Sequence, residues 1–198
     1  MNLELFAEKL EKGENNIYYS KSTSEISYPE KGNQNCLQIE QNSFWFAHRN
    51  NIIVAAVKRF SPKGSFFDIG GGNGFVSKAI QENGIEVVLL EPGIDGVLNA
   101  RNRGIKNIVC STLQDAGLKS SSLNAVGLFD VIEHIKDDIS FLKDINKYLK
   151  NNGKIFITVP AFNFLWSAHD EYSGHHKRYN LNELEKLLTQ CGFKTLYK

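Results

Sequence analysis

The chain has 198 residues, 41% of them hydrophobic and 23% charged, which suits one globular domain with a sizeable core. A net charge of +1 without a long basic run argues against bulk electrostatic binding of nucleic acid, though not against a small nucleic-acid substrate. Three widely spaced cysteines, Cys36, Cys110 and Cys191, fit neither a disulfide framework nor a zinc pattern. No apolar run approaches the roughly 18 residues of a membrane span, so the expectation is a cytoplasmic protein with reduced thiols and no signal segment.

Leu3, Phe6, Ala7 and Leu10 predict a short amphipathic helix ended by Gly13. Residues 13–36 are polar, with Tyr18, Tyr19 and Tyr28 interspersed, and read as either a mobile lid or a surface loop. This sets residues 1–40 apart from a main domain over 41–198. Phe44, Trp45, Ile52, Ile53, Ala56, Val57 and Phe60 recur at helical spacing and predict a helix from 41 to 60, broken by Ser61-Pro62. Its aromatic residues read as core.

The most informative stretch runs from Ser65 to Gly93. Phe66, Phe67 and Ile69 form an apolar run that stops at Gly70, Gly71, Gly72, Asn73 and Gly74. A helix pattern carrying Phe75, Val76, Ala79 and Ile80 follows and ends at Asn83-Gly84. The next strand, Val87 to Leu90, ends on Glu91. Each glycine costs roughly 0.5–1 kcal/mol relative to alanine in regular structure, so a turn with four of them implies that something uses the bare backbone. A nucleotide-like ligand at a helix N-terminus is the usual user. The dinucleotide spacing G-x-G-x-x-G is absent: from Gly70 the third glycine would fall at Phe75, and from Gly72 at Ser77.

Further elements follow in alternation. A helix from about Ile94 to Arg103 ends at Gly104, and Ile105 to Cys110 predicts a third strand leading into the turn Ser111-Thr112-Leu113-Gln114-Asp115. Ala125 to Val131 predicts a fourth strand, followed by the run Asp130-Val131-Ile132-Glu133-His134. A helix starting at Asp137-Asp138 turns Phe141, Leu142, Ile145, Tyr148 and Leu149 inward and stops at Asn151-Asn152-Gly153. Lys154 to Val159 predicts a fifth strand, Asn180 caps a last helix with Glu183 three residues on, and Phe193 to Tyr197 predicts a sixth strand. Strands alternating with helices predict an α/β, doubly wound, mostly parallel sheet, with ligands at the carboxyl ends of the strands, where Gly70–Gly74, Glu91, Ser111 and Asp130–His134 fall.

D-x-G-x-G-x-G at Asp68, Gly70, Gly72 and Gly74, with an acid after the second strand, resembles the motif of class I S-adenosylmethionine-dependent methyltransferases. The similarity covers roughly residues 40–198. V-P-A, L-W, H-D-E and G-H-H-K-R-Y between residues 159 and 179 resemble a bacterial subgroup loosely grouped with quinone-biosynthesis methyltransferases. The resemblance implies a Rossmann-like methyltransferase sheet and S-adenosyl-L-methionine as cofactor, transferring a methyl group to an O, N or C nucleophile of a small-molecule acceptor. It implies that Asp68 helps hold the amino-acid end of the cofactor, that Gly70, Gly72 and Gly74 let it lie on the backbone, and that Glu91 binds the ribose diol. Ser111, Thr112 and Leu113 would cover the adenine, and Asp130 completes the cofactor set. The segment Ser43–Arg49 resembles a helix that lies beside the cofactor mouth in one subgroup. The family's sheet has seven strands, and this sequence ends where the sixth should be. The expectation is therefore a sheet lacking its last strand, either in a piece of a longer protein or with its edge covered by another molecule.

For the acceptor side, His134, His169, His175 and His176 are candidate general bases if the acceptor is a hydroxyl, with His134, His169 and His175 favoured. Lys177 and Arg178 could hold an anionic acceptor or form a solvated basic corner. Asp130, Glu133 and His134 resemble the E-x-x-E-H pattern linked to magnesium in some quinone O-methyltransferases, with His169 and His175 as further ligands. Asp in place of the first Glu speaks against this, and no metal is assigned. Two alternatives stay open: a cofactor-binding module without catalysis, acting as a regulatory or partner subunit, and a nicotinamide-linked oxidoreductase, which the glycine spacing disfavours.

Overall fold

The computed structural model describes residues 3–22, 24, 29, 32–60 and 62–198. It is an α/β structure built on one seven-stranded sheet. In chain order the strands are β1 (Leu10–Lys12), β2 (Ile17–Ser20), β3 (Phe66–Ile69), β4 (Val87–Glu91), β5 (Asn107–Cys110), β6 (Leu123–Phe129) and β7 (Leu149–Thr158). Their order across the sheet is β1-β2-β5-β4-β3-β6-β7, and every pairing is parallel except β1 with β2. The helices are α1 (Gly32–Glu40), α2 (Phe44–Phe60), α3 (Phe75–Glu82), α4 (Ile94–Asn102), α5 (Asp138–Tyr148), α6 (Ala168–Tyr172) and α7 (Leu181–Gln190).

Alternation along the central strands explains the two helical layers. Phe66 and Val87 point to the side where Ile53 and Val57 of α2 and Val76 and Ile80 of α3 pack. Leu89, on the same face, meets Val97 and Ala100 of α4. Phe67, Val88, Leu90, Val126 and Leu128 face the opposite layer, with Phe141, Leu142 and Ile145 of α5. The central strands are buried on both faces, which is why they read as continuous apolar runs.

The N-terminal third departs most from the expectation. The helix anticipated over Leu3–Leu10 is one tight turn, Leu3–Leu5, after which Leu10–Lys12 pairs with β2. Residues 13–36 contain a strand that adds to β5 and the start of a helix, so they are not one long loop; Tyr28 lies outside the described residues. The helix anticipated over 41–60 begins at Phe44. Phe44 and Trp45, read as core, are 83% and 57% exposed.

At the other end of the chain, α7 forms with the anticipated cap: Asn180 accepts from the Glu183 amide while the Glu183 carboxylate accepts from the Asn180 amide. Phe193–Tyr197 makes no strand. The sheet nonetheless has seven strands, because two of them come from residues 10–20 and extend the β5 edge. Among the described residues β7 pairs only with β6, so the edge anticipated as open carries no further strand.

Candidate functional site

The glycine turn sits where β3 meets α3, and its backbone settles why glycine stands there. Gly70 and Gly72 have φ of 70° and 51°, the left-handed region that side chains disfavour. A Cβ on Gly70 would lie 2.8 Å from a Val131 methyl, so this position is closed by packing. Among the described residues, a Cβ on Gly72 would meet within 4 Å only the Asn33 side-chain oxygen of α1, 3.5 Å away.

Two carboxylates end up beside this turn because β3 and β4 are parallel neighbours in register. Asp68 is 1% exposed; its Oδ2 accepts from Ser77 Oγ at 2.7 Å, while Oδ1 has no hydrogen-bond partner among the described residues. Burial pushes its pKa up to about 6, against the pull of the Ser77 hydrogen bond and the Arg49 charge. Glu91 is 7% exposed. Its Oε2 accepts from the Gly72 amide at 2.9 Å, and Oε1 accepts from the Gly93 amide at 2.8 Å and from Asn33 Nδ2 at 3.5 Å. Burial raises its pKa, opposed by the Gly93 and Gly72 amides. Asp68, Gly70, Gly72 and Glu91 are thus brought together, with Gly74 at the N-terminus of α3.

Helix α1 lies across this group, a feature the sequence did not announce. Asn33 is buried; its carbonyl accepts from Asn73 Nδ2 at 2.8 Å. Glu40 pairs with Arg103 at 2.9 Å, Gln34 donates to Asp95 at 2.8 Å, and Asn35 donates to the Tyr172 hydroxyl at 3.0 Å. Only Gly32 and Asn33 of this helix are buried, and Ile39 is exposed, so polar contacts hold α1 down.

In the turn after β5, the polar side chains bond within the turn and to the stretch after β2. Ser111 Oγ donates to the Thr112 carbonyl, and Leu113 is buried in the core. Thr112 Oγ1 and Ser22 Oγ each donate to the Asp115 carboxylate, as does the Ser24 amide. Those bonds hold the Asp115 pKa down to about 2 and fasten the stretch after β2 to the main domain.

Beyond β6 the chain bends sharply. Asp130 has φ of 59°, unusual for a residue with a side chain. Its carboxylate accepts from Thr158 Oγ1 at 2.9 Å and pairs with Arg49 of α2 at 2.7 Å. Glu133 is fully buried, and neither of its carboxylate oxygens has a hydrogen-bond partner among the described residues. Burial, and then the nearby Asp130, push its pKa up to about 8. His134 is pushed down to about 4 by burial and by His175 and His176.

The loop after β7 brings His175 against His134, ring centroids 4.6 Å apart and planes at 80°. His169 is exposed and stands outside that pair. Asp170, the acid of the H-D-E stretch to which the sequence assigned no role, organises this corner. It is fully buried and caps α6 through Ser167. Its carboxylate also takes Arg178 Nε at 2.7 Å, Arg178 Nη2 at 2.8 Å and His175 Nδ1 at 2.9 Å. The Arg178 pair holds Asp170 well below the usual carboxylate range. The spacing S-x-x-D at Ser167–Asp170 was the signal available for it. Lys177 pairs with Asp138, which also accepts from the Tyr179 hydroxyl at 2.9 Å. Both cations considered for an anionic acceptor therefore have internal partners.

Among the described residues, no helix is long and apolar enough to cross a membrane. The profile of the methyltransferase domain family matches residues 45–198. A Mycobacterium tuberculosis (strain H37Rv) protein named "Probable S-adenosylmethionine-dependent methyltransferase Rv3030" is 23% identical over 168 residues, 82% of this chain and 60% of its own length. A ubiquinone biosynthesis O-methyltransferase of Xanthomonas oryzae is 26% identical over 98 residues, 46% of this chain and 41% of that protein. The chain thus spans about 60% of the mycobacterial relative. In fold, it resembles Haemonchus contortus phosphoethanolamine N-methyltransferase 2, solved with phosphomonomethylethanolamine and S-adenosylhomocysteine. The TM-score is 0.66 at 24% identity, covering 84% of this chain and 42% of that one.

Proposed function

The chain belongs to the methyltransferase domain family, and from that premise we propose that it binds S-adenosylmethionine beside the glycine turn and transfers its methyl group to a small-molecule acceptor. The observation that carries this reading is the convergence of Asp68 and Glu91 on a turn where, among the described residues, only Asn33 of α1 comes within 4 Å of the Cβ position of Gly72. The unpartnered Asp68 Oδ1 suits the ammonium of the cofactor's amino-acid end. An ionised carboxylate offers about four acceptor sites. Glu91 uses two for the Gly72 and Gly93 amides, and withdrawal of Asn33 leaves two for a vicinal diol.

When bound, the cofactor supplies an electrophilic methyl on a sulfonium, so the protein's part is alignment and exclusion of water. Helix α1 acts as a lid over the glycine turn and Glu91, and must lift from Glu91 for the ligand to enter. Its polar contacts with α4 and Tyr172 suit that motion better than an apolar seam would. Arg49 fixes Asp130 at the end of β6 between the glycine turn and the histidine corner. His175, with Nδ1 held by Asp170, presents Nε2 as a proton acceptor, and the acceptor class this suits is a hydroxyl. An anionic acceptor would compete with Asp138 and Asp170 for Lys177 and Arg178.

Asp68→Asn tests the reading with opposite effects on binding and stability. In the wild type, Asp68 has a pKa near 6 when folded and near 4 when unfolded. The native state therefore keeps a proton that the unfolded chain has lost, and stability falls as pH rises from about 4 to about 6 and stays lower above. Asn keeps the acceptor for Ser77 without the charge, so ligand-free protein at pH 7 gains up to about 3 kcal/mol, and less at pH 4. Thermal melts at both pH values, paired with calorimetric titration of S-adenosylhomocysteine, should show a more stable protein that no longer binds. Unchanged binding removes Asp68 from the site.

A further inference from the structure

Glu133 is the least satisfied ionisable side chain among the described residues: fully buried, with neither carboxylate oxygen hydrogen-bonded. One ligand atom each from Glu133, His134 and His175 lies within 4.8 Å of the others. The three come from two separate places in the chain, the turn after β6 and the loop after α6, and the fold alone joins them. The His175 ring is held in place: its Nδ1 lies 2.9 Å from Asp170 Oδ1, which also takes Arg178 Nε, so in the neutral imidazole that donates to Asp170 the lone pair is on Nε2. A carboxylate bracing the far nitrogen of a histidine is the usual support of a metal-binding imidazole.

We propose that Glu133, His134 and His175 form a binding site for a divalent transition-metal ion, with Asp170 positioning His175. Two imidazoles and one carboxylate suit zinc, cobalt or ferrous iron; magnesium and calcium favour oxygen donors. Asp130 lies outside the set, because Arg49 and Thr158 occupy its two oxygens. A cation here compensates the burial of Glu133, and three protein ligands leave further coordination positions open; with the ion bound, His175 Nε2 is a ligand, and it serves as the proton acceptor only in the metal-free protein.

The test uses tag-free full-length protein, stripped with a chelator and titrated with zinc, cobalt and magnesium chlorides without cofactor, so its outcome is independent of the methyl-transfer reading. One equivalent of zinc or cobalt should bind at micromolar concentration or below, with cobalt showing visible bands and no thiolate charge-transfer band. Magnesium should not bind at millimolar concentration. Glu133→Gln, His134→Ala and His175→Ala should each weaken zinc binding at least a hundredfold, and Asp170→Asn ten- to a hundredfold. His48→Ala, an exposed residue of α2, should leave it unchanged. Circular dichroism identifies any variant that fails to fold, and the remaining variants then decide the question. The proposal is overturned if the wild type binds neither zinc nor cobalt, if magnesium binds in preference, or if binding survives in folded His134→Ala and His175→Ala.

Discussion

Replacing Glu91 by alanine is expected to weaken S-adenosylhomocysteine binding at least tenfold, about 1.4 kcal/mol, and to do so without unfolding the protein. A carboxylate accepting two hydroxyls forms charge-assisted hydrogen bonds contributing roughly 1.5–3 kcal/mol each. Part of this is already spent in the ligand-free protein, where Asn33 sits on Oε1, so tenfold is the floor. Glu91 also ties down the Gly72 and Gly93 amides, and its loss loosens the turn. Glu91→Gln separates the two contributions: its amide oxygen can still accept from one of these N–H groups, but its –NH2 cannot accept from a hydroxyl. Calorimetry on the three proteins should rank affinity as wild type, then Gln, then Ala. Equal affinities would remove Glu91 from the ribose.

Asp170→Asn is expected to produce the largest loss of stability, about 3–5 kcal/mol, because it leaves the Arg178 guanidinium without its buried counter-charge. For a chain of this length that corresponds to a fall in melting temperature of roughly 6–20 °C. The pH dependence follows from the direction of the shift. Asp170 is held below its unfolded value, so the stability it contributes is fully present above about pH 4 and is lost as pH falls through its lower folded pKa. The wild type and the variant should therefore converge in acid and diverge toward neutrality. A variant as stable as the wild type at pH 7 would show that Ser167, His175 and Arg178 hold that corner without the charge.

Local chemistry made the central parts legible. The glycine turn, Glu91 after β4 and the Asn180 cap of α7 are written in contiguous residues, and the structure has them at the expected positions. The additions at the sheet edge were not legible, because β2 is four residues long in polar surroundings and owes its existence to β5, about ninety positions away. Phe193–Tyr197 shows the reverse: a short run ending on Leu196 and Tyr197 that pairs with no strand among the described residues. The histidines were visible as a list, but only the fold separates exposed His169 from the paired His134 and His175. Asp170 was hidden because a buried acid is defined by partners the loop brings to it, and α1 because its hold on Glu91 is a contact between residues 58 positions apart.

The most direct test is a crystal structure of the chain with S-adenosylhomocysteine. Ligand density is expected between the glycine turn and α1, with the diol on Glu91, the amino-acid end at Asp68, and Asn33 withdrawn from the Glu91 carboxylate. Density elsewhere, or a bound ligand with the Asn33–Glu91 contact still in place, would contradict that placement.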